Sequence, residues 1–170
     1  YNIAHPELAS RPFIGGISGD PELVALQKPD VVFVTFVTGK DADALQEKSR
    51  VPVISLISGD LGKNRQVFYS SLRTMATVLG KEQRAEDVIS YINATLADLQ
   101  ERTSGIPAGK KASVYVGGIA YNGAHGLLST DPVYAPLAMV NGNNVAAEAG
   151  TGGQIMIDKE KLLSWNPDVI

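Results

Sequence analysis

The chain has 170 residues, 44 % of them hydrophobic, enough to bury a sizeable core and too many for a disordered segment. Charged residues make up 19 % and the net charge is −3, so there is no basic field to attract a phosphate backbone and nucleic acid is excluded as a partner. No cysteine is present, which excludes disulfides, thiolate metal sites and cysteine nucleophiles from this chain.

Residues 1–10 have neither a basic nor an apolar region, and nowhere is there the run of roughly 18 to 20 apolar residues that a membrane-spanning helix needs. The chain therefore reads as a soluble piece from which any export signal or lipid anchor has been removed. Residues 31–37 form a continuous β-branched and aromatic run after Lys28-Pro29-Asp30, the pattern of a buried parallel strand, and residues 51–57 repeat it. Between them, residues 41–50 are polar with Ala42 and Leu45 on one face. That is a crossover helix, and the three elements make a β-α-β unit.

The period then changes. Phe68, Leu72, Met75 and Leu79 mark an amphipathic helix that Gly80 can close in a left-handed cap. Ala85, Val88, Ile89, Ile92, Leu96 and Leu99 carry a second helix to Arg102, a rod of roughly 30 Å at 1.5 Å per residue, stopped by the Gly and Pro of residues 104–109. Residues 112–118 read as a strand ending in Gly117-Gly118. A glycine-rich loop containing Ser129, Thr130 and Pro132 follows, then a helix over 134–140, a short element over 144–149, a helix over 159–165 and the start of a strand at 166–170.

An internal repeat organises these elements. Shifting the chain by 138 residues superposes Glu22 on Glu160, Pro29 on Pro167, Asp30 on Asp168, Val31 on Val169 and Val32 on Ile170, with Gly15 on Gly153, Ile17 on Ile155 and Val24 on Leu162. Each copy runs from a glutamate through an apolar helix face to Pro-Asp-Val and a strand, the proline blocking continuation of the helix. The competing explanation is that Pro-Asp-Val is a common helix-to-strand connection. The glutamate kept seven residues before the proline in both copies favours duplication. Two α/β lobes joined by one long helix follow, with a ligand expected at the carboxyl ends of parallel strands.

Four stretches carry a family resemblance: Pro21-Glu-Leu-Val-Ala-Leu-Gln-Lys-Pro-Asp-Val-Val-Phe-Val34, Val51-Pro-Val-Ile-Ser-Leu56, the long helix ending near Arg102, and Asp158-Lys-Glu-Lys-Leu-Leu-Ser-Trp-Asn-Pro-Asp-Val-Ile170. Together they resemble the helix-linked (class III) periplasmic solute-binding proteins of iron-siderophore, haem and cobalamin ABC importers. The resemblance implies an α/β fold of two Rossmann-like lobes with parallel sheets joined by a long helix, both lobes incomplete here. The expected domains are 1–80 for the remainder of the N-terminal lobe, 81–103 for the connecting helix and 104–170 for the first part of the C-terminal lobe. Exposed strand edges in such a piece would favour self-association.

The resemblance further implies a non-enzymatic protein with no cofactor of its own, which captures a metal chelate and delivers it to the membrane permease. It implies location at the periplasmic or extracellular face of the membrane, lipid-anchored in the full-length protein. Its ligand positions map to Gly16, Ile17, Thr35, Phe36 and Ser58 on one lobe and to Gly118, Ile119, Tyr121 and Gln154 on the other. The permease-docking glutamates map to Glu22 and Glu160, which are otherwise ordinary first-turn helix glutamates. Tyr121 and His125, four residues apart in a glycine-rich loop, are residue types that ligate ferric iron or haem, although a lone loop pair is more often structural. Cobalamin-binding members carry several tryptophans where this chain has none.

Lys63 and Arg65 could receive an anionic chelate, or simply open a helix. With His5 as the other histidine, a three-histidine metal site is excluded. Two other classes compete, an α/β enzyme and an α/β interaction module. Gly15-Gly-Ile-Ser-Gly19 resembles a phosphate loop but lacks its spacing, and no nucleophile elbow is present.

Overall fold

The computed structural model describes residues 5–120, 123 and 125–170. Contacts divide the chain into two units, one running up to Asp60 and including Asn64–Thr74, the other comprising Leu61–Lys63 and Met75–Ile170.

In the first unit, helix α1 (Pro21–Gln27) opens with Pro21 at its first position, and the Asp20 carboxylate accepts the amides of Glu22 and Leu23 at 2.9 and 3.0 Å. Lys28 closes it in the left-handed region at φ 49°. Strand β1 (Val32–Val34) pairs in parallel with β2 (Val53–Ser55), Val32 opposite Val53. Helix α2 (Gly39–Ser49) crosses between them, so the expected β-α-β unit is present. A capping box starts α2: the Asp41 amide donates to Thr38 Oγ1 and the Thr38 amide donates to Asp41 Oδ2, both at 3.2 Å. The core joins Val24 of α1, Val34 of β1, Ala42 and Leu45 of α2, and Val51. Both helix residues expected to face inward do so.

Helix α3 (Arg65–Leu79) ends in a complete Schellman motif, in which the amide of Lys81 donates to the Ala76 carbonyl at 2.8 Å and that of Gly80 to Thr77 at 3.4 Å. Gly80 is left-handed at φ 61°, as its position after the apolar stripe predicts. Helix α4 (Glu82–Ser104) follows, with Ala85 and Ile89 buried.

In the second unit, β3 (Ser113–Val114) is followed in the chain by β4 (Ser129–Thr130), α5 (Ala135–Met139), β5 (Asn143–Asn144), β6 (Ile155–Met156) and α6 (Lys159–Trp165). Strand β3 pairs in parallel with β5, and Val114 also bridges in parallel to Val169, so β3 lies between the two. Two expectations need correction. Residues 129–132 were expected as loop, yet Ser129 and Thr130 are fully buried and pair antiparallel with β6, so the sheets are not all parallel. The runs at 112–118 and 166–170 also shrink, to two residues and a single bridge, because an apolar run forms a ladder only where a partner strand lies beside it.

Asp168 ties this sheet together. Its carboxylate accepts the Ser113 amide at 2.7 Å and hydroxyl at 2.8 Å, while its own amide donates to Ser113 Oγ at 2.9 Å. These bonds, the backbone one first, hold the Asp168 carboxyl below its ordinary value. The Glu148 carboxyl is lowered too, by bonds from Lys161 and then Trp165. Folding lowers both values, so their stabilisation is complete above the ordinary carboxylate range and is lost as the pH falls through the depressed ones. The melting temperature is therefore expected to drop between about pH 5 and pH 2, and Asp168→Asn to flatten part of that acid limb. A parallel acid limb in the variant, by circular dichroism, would remove Asp168 from this role.

Candidate functional site

Four of the expected ligand positions come together in the first unit. Gly16, Ile17, Thr35 and Phe36 line one cavity of about 290 Å³ with Ile14 and the three residues of β1. It lies where β1 ends, the carboxyl edge at which parallel sheets offer a crevice. Among the described residues lining it, none is charged.

The loop at residues 14–20 forms one wall. The Asp20 amide donates to the Ile14 carbonyl at 2.8 Å and the Gly19 amide to Gly16 at 3.0 Å, folding the loop back before α1 begins. The steric demand falls on Gly15, at φ 110°, where a Cβ would sit 2.4 Å from the Asp20 nitrogen. Gly16 has open space around it. On the other wall β1 stops at Val34, and Phe36 turns into the left-handed region at φ 60°, a conformation that bulky residues rarely adopt. Phe36 is 82 % exposed and Ile17 is 78 % exposed, so neither serves as core.

Ser58 is exposed beyond β2 and does not line this cavity. Its neighbour Gly59 makes the tight turn, since a Cβ there would sit 2.6 Å from the Phe68 nitrogen. Ile14 is a lining residue that the sequence reasoning missed. The apolar pair Phe13-Ile14 just before the glycines was the available signal.

The second unit places its candidates differently. Gly118 is exposed at φ 74°. The Ile119 amide donates to the Ser129 carbonyl at 3.3 Å, Ser129 Oγ donates to the Ile119 carbonyl at 2.5 Å, and Gln154 Nε2 donates to Ser129 Oγ at 2.8 Å. Ile119 and Gln154 thus meet through Ser129, and the Gln154 amide braces β4. His125 is exposed, and Tyr121 lies outside the described residues. Lys63 donates to the Thr151 carbonyl at 3.2 Å, and Arg65 opens α3. Among the described residues no group of three or more His, Asp or Glu could hold a metal ion, and no helix is long and apolar enough to cross a membrane.

Glu22 and Glu160 occupy matching places. Each is the second residue of a seven-residue helix, α1 or α6, and each is exposed. Each helix is capped by an aspartate, Asp20 or Asp158, the latter accepting the Lys161 amide at 2.6 Å. Each closes on a left-handed residue that is not glycine, Lys28 at φ 49°, ψ 50° or Asn166 at φ 42°, ψ 59°. The offset of 138 residues read from the sequence therefore holds for the caps, the helix lengths and the backbone angles.

The chain is similar to known proteins. The chain is 23 % identical over 168 residues to an uncharacterized ABC transporter substrate-binding lipoprotein, YvrC of Bacillus subtilis, covering 92 % of this chain and 49 % of that protein. Among solved structures it is similar to the molybdate periplasmic binding protein MolA of Haemophilus influenzae, with TM-score 0.72 and 21 % identity, over 99 % of this chain and 56 % of that one. It is also similar to the periplasmic heme-binding protein RhuT of Roseiflexus sp. RS-1, with TM-score 0.69 and 18 % identity, over 99 % of this chain and 64 % of that one. The chain thus spans about half the length of the curated relative it matches. The likeness to the two structures establishes the α/β fold. The pattern of the family described as periplasmic binding protein matches residues 15–170, nearly the whole chain, and the chain belongs to that family of transport binding proteins rather than to an enzyme family.

Proposed function

We propose that this chain is part of the substrate-binding subunit of an ABC importer, and that its first unit supplies an apolar wall for a metal chelate. The uncharged cavity beside the exposed side chains of Phe36 and Ile17 carries the proposal. A bare oxyanion such as molybdate, named for one similar structure, needs charged or N–H donors when it is removed from water. Haem, named for another, and ferric chelates with aromatic arms offer flat apolar area that Phe36 can stack against. Gly118, Ile119, Tyr121 and His125 are the second unit's proposed share of the contacts. Gln154 contributes by holding Ser129. The loaded subunit presents Glu22 and Glu160 to the permease, and works at the outer face of the cell membrane, anchored as a lipoprotein like its relative.

Titration of the full-length protein with haem, a panel of ferric siderophores and molybdate tests the ligand class. Haem or a ferric chelate is expected to quench tryptophan emission and raise the melting temperature, and Phe36→Ala to weaken that binding roughly tenfold, about 1.4 kcal/mol. Binding of molybdate alone, unaffected by Phe36→Ala, would overturn the apolar-wall assignment.

A further inference from the structure

At the offset of 138 the caps and closures of α1 and α6 agree, but the charges around their glutamates do not. In α1 the neighbours of Glu22 are Pro21 and Leu23, so the opening turn, with its Asp20 cap, carries negative charge alone. In α6 the counterparts of Pro21 and Leu23 are Lys159 and Lys161, which flank Glu160 and offset its charge and that of Asp158. A cationic partner suited to the first helix would meet a neutral turn on the second.

The second unit draws one of these lysines aside. Lys161 Nζ donates to Glu148 Oε1 at 2.6 Å and lies 5.1 Å from the centre of the Trp165 ring, so its ammonium is held along α6 toward a residue one turn later. That direction also takes it away from the positive end of the helix dipole. Trp165 Nε1 donates to the same carboxylate oxygen, and its ring centre is 6.1 Å from that of the buried Tyr115. Glu148 stands on a short 3-10 helix (Val145–Ala149) that Asn144 caps and that Ala146, fully buried, anchors. The carboxylate is therefore fixed both through its backbone and through the indole. Subtracting the offset turns Glu148, Lys161 and Trp165 into Ser10, Leu23 and Gln27, none of them charged, and Glu22 has no adjacent lysine to offset.

We infer that Glu148 is a positioning residue for the permease contact proposed for Glu160, an assignment that rests on that docking reading. By holding the Lys161 ammonium back along α6 and offsetting its charge, Glu148 leaves the opening turn of α6 with the negative sign that α1 has without help. Lys161 and Glu148 are both partly exposed, and an ion pair of that kind adds little to stability. Its effect belongs instead to the encounter with a cationic surface, where a single charge at the rim changes the association rate and its dependence on salt.

Binding of the full-length, ligand-free protein to its permease complex in lipid nanodiscs, followed by surface plasmon resonance at about 20 mM ionic strength, tests this role where charges are felt over roughly 20 Å. Glu148→Gln keeps the side-chain shape and an acceptor for the Trp165 N–H while removing the charge. It is expected to slow association roughly fivefold, the loss shrinking below about twofold at about 0.5 M. Adding Lys161→Met to Glu148→Gln is expected to bring the rate back to within about twofold of the unsubstituted protein, because the uncompensated charge is gone. A role in holding the fold predicts the opposite, since the second substitution dismantles more of the cluster. Unchanged association in Glu148→Gln, a loss that persists at high salt, or no recovery in the double variant would overturn the inference. Glu160→Arg, measured alongside, separates it from the docking reading. If that variant binds slowly and Glu148→Gln does not, docking stands and the role of Glu148 falls; if neither is slowed, both fall.

Discussion

Reversing both charges proposed to dock the permease, Glu22→Arg with Glu160→Arg, is expected to cut uptake by the full-length protein on the order of 100-fold while leaving its ligand affinity within about twofold. Both carboxylates are exposed on the first turns of equivalent helices, and neither lines the apolar cavity. Their loss removes no core contact, and the helices keep their aspartate caps and left-handed closures. What changes is the sign of charge offered at the proposed permease contact, and like charges juxtaposed at an interface cost several kcal/mol. Single reversals should fall between, because one correct contact still orients the complex. Uptake of radiolabelled ligand into cells, set beside an affinity measured on purified protein, separates the two effects. Unchanged uptake in the double variant removes the docking role, and a fall in uptake matched by an equal fall in affinity does so as well.

The second large effect concerns a glycine pair. Gly117→Ala is expected to destabilise the fold by about 3 kcal/mol, and Gly118→Ala by only about 1 kcal/mol. A Cβ on Gly117 would sit 2.6 Å from the Leu127 carbonyl oxygen, 2.8 Å from Leu127 Cδ1 and 3.0 Å from the Tyr115 ring. The carbonyl cannot withdraw, because it accepts the hydroxyl of Tyr115 at 2.8 Å, and that residue is 1 % exposed. Gly117 also bridges to the buried Thr130. Gly118 has nothing within 4 Å of a new Cβ, so the penalty there is that of φ 74° alone. Chemical denaturation of the two variants provides the comparison, and equal losses would mean that the close approach at Gly117 is not what holds this turn.

The helices were readable in the sequence because their determinants are local. The run from Asp158 to Asn166 contains its own cap, its apolar spacing and its terminating residue, and α6 covers residues 159–165 as expected. The start of α2 was misjudged by two residues, although Thr38 and Asp41 spell a capping box that places Gly39 at the helix start. The extent of the strands was not readable. Ser129 and Thr130 are polar, and only the pairing with Ile155 and Met156, together with full burial, makes them a strand. Phe36 lies within a run of β-forming residues, and nothing in that run announces that β1 ends at Val34 and that Phe36 turns left-handed. Gln154 was singled out as the repeat partner of Gly16, yet its amide meets Ser129, which has no counterpart among the residues around Gly16. The match at the offset of 138 holds for the helix caps, lengths and closures and does not extend to the surrounding loops.

The left-handed turn at Phe36 also bears on the proposed ligand contact there. An aromatic side chain with two rotatable bonds, set on a backbone that the folded chain has already constrained, gives up little freedom when something stacks on it. The conformational toll falls on folding instead of capture. A half-site pre-set in this manner would show its benefit in the dissociation rate, with long residence of the proposed ligand, more than in the rate of encounter.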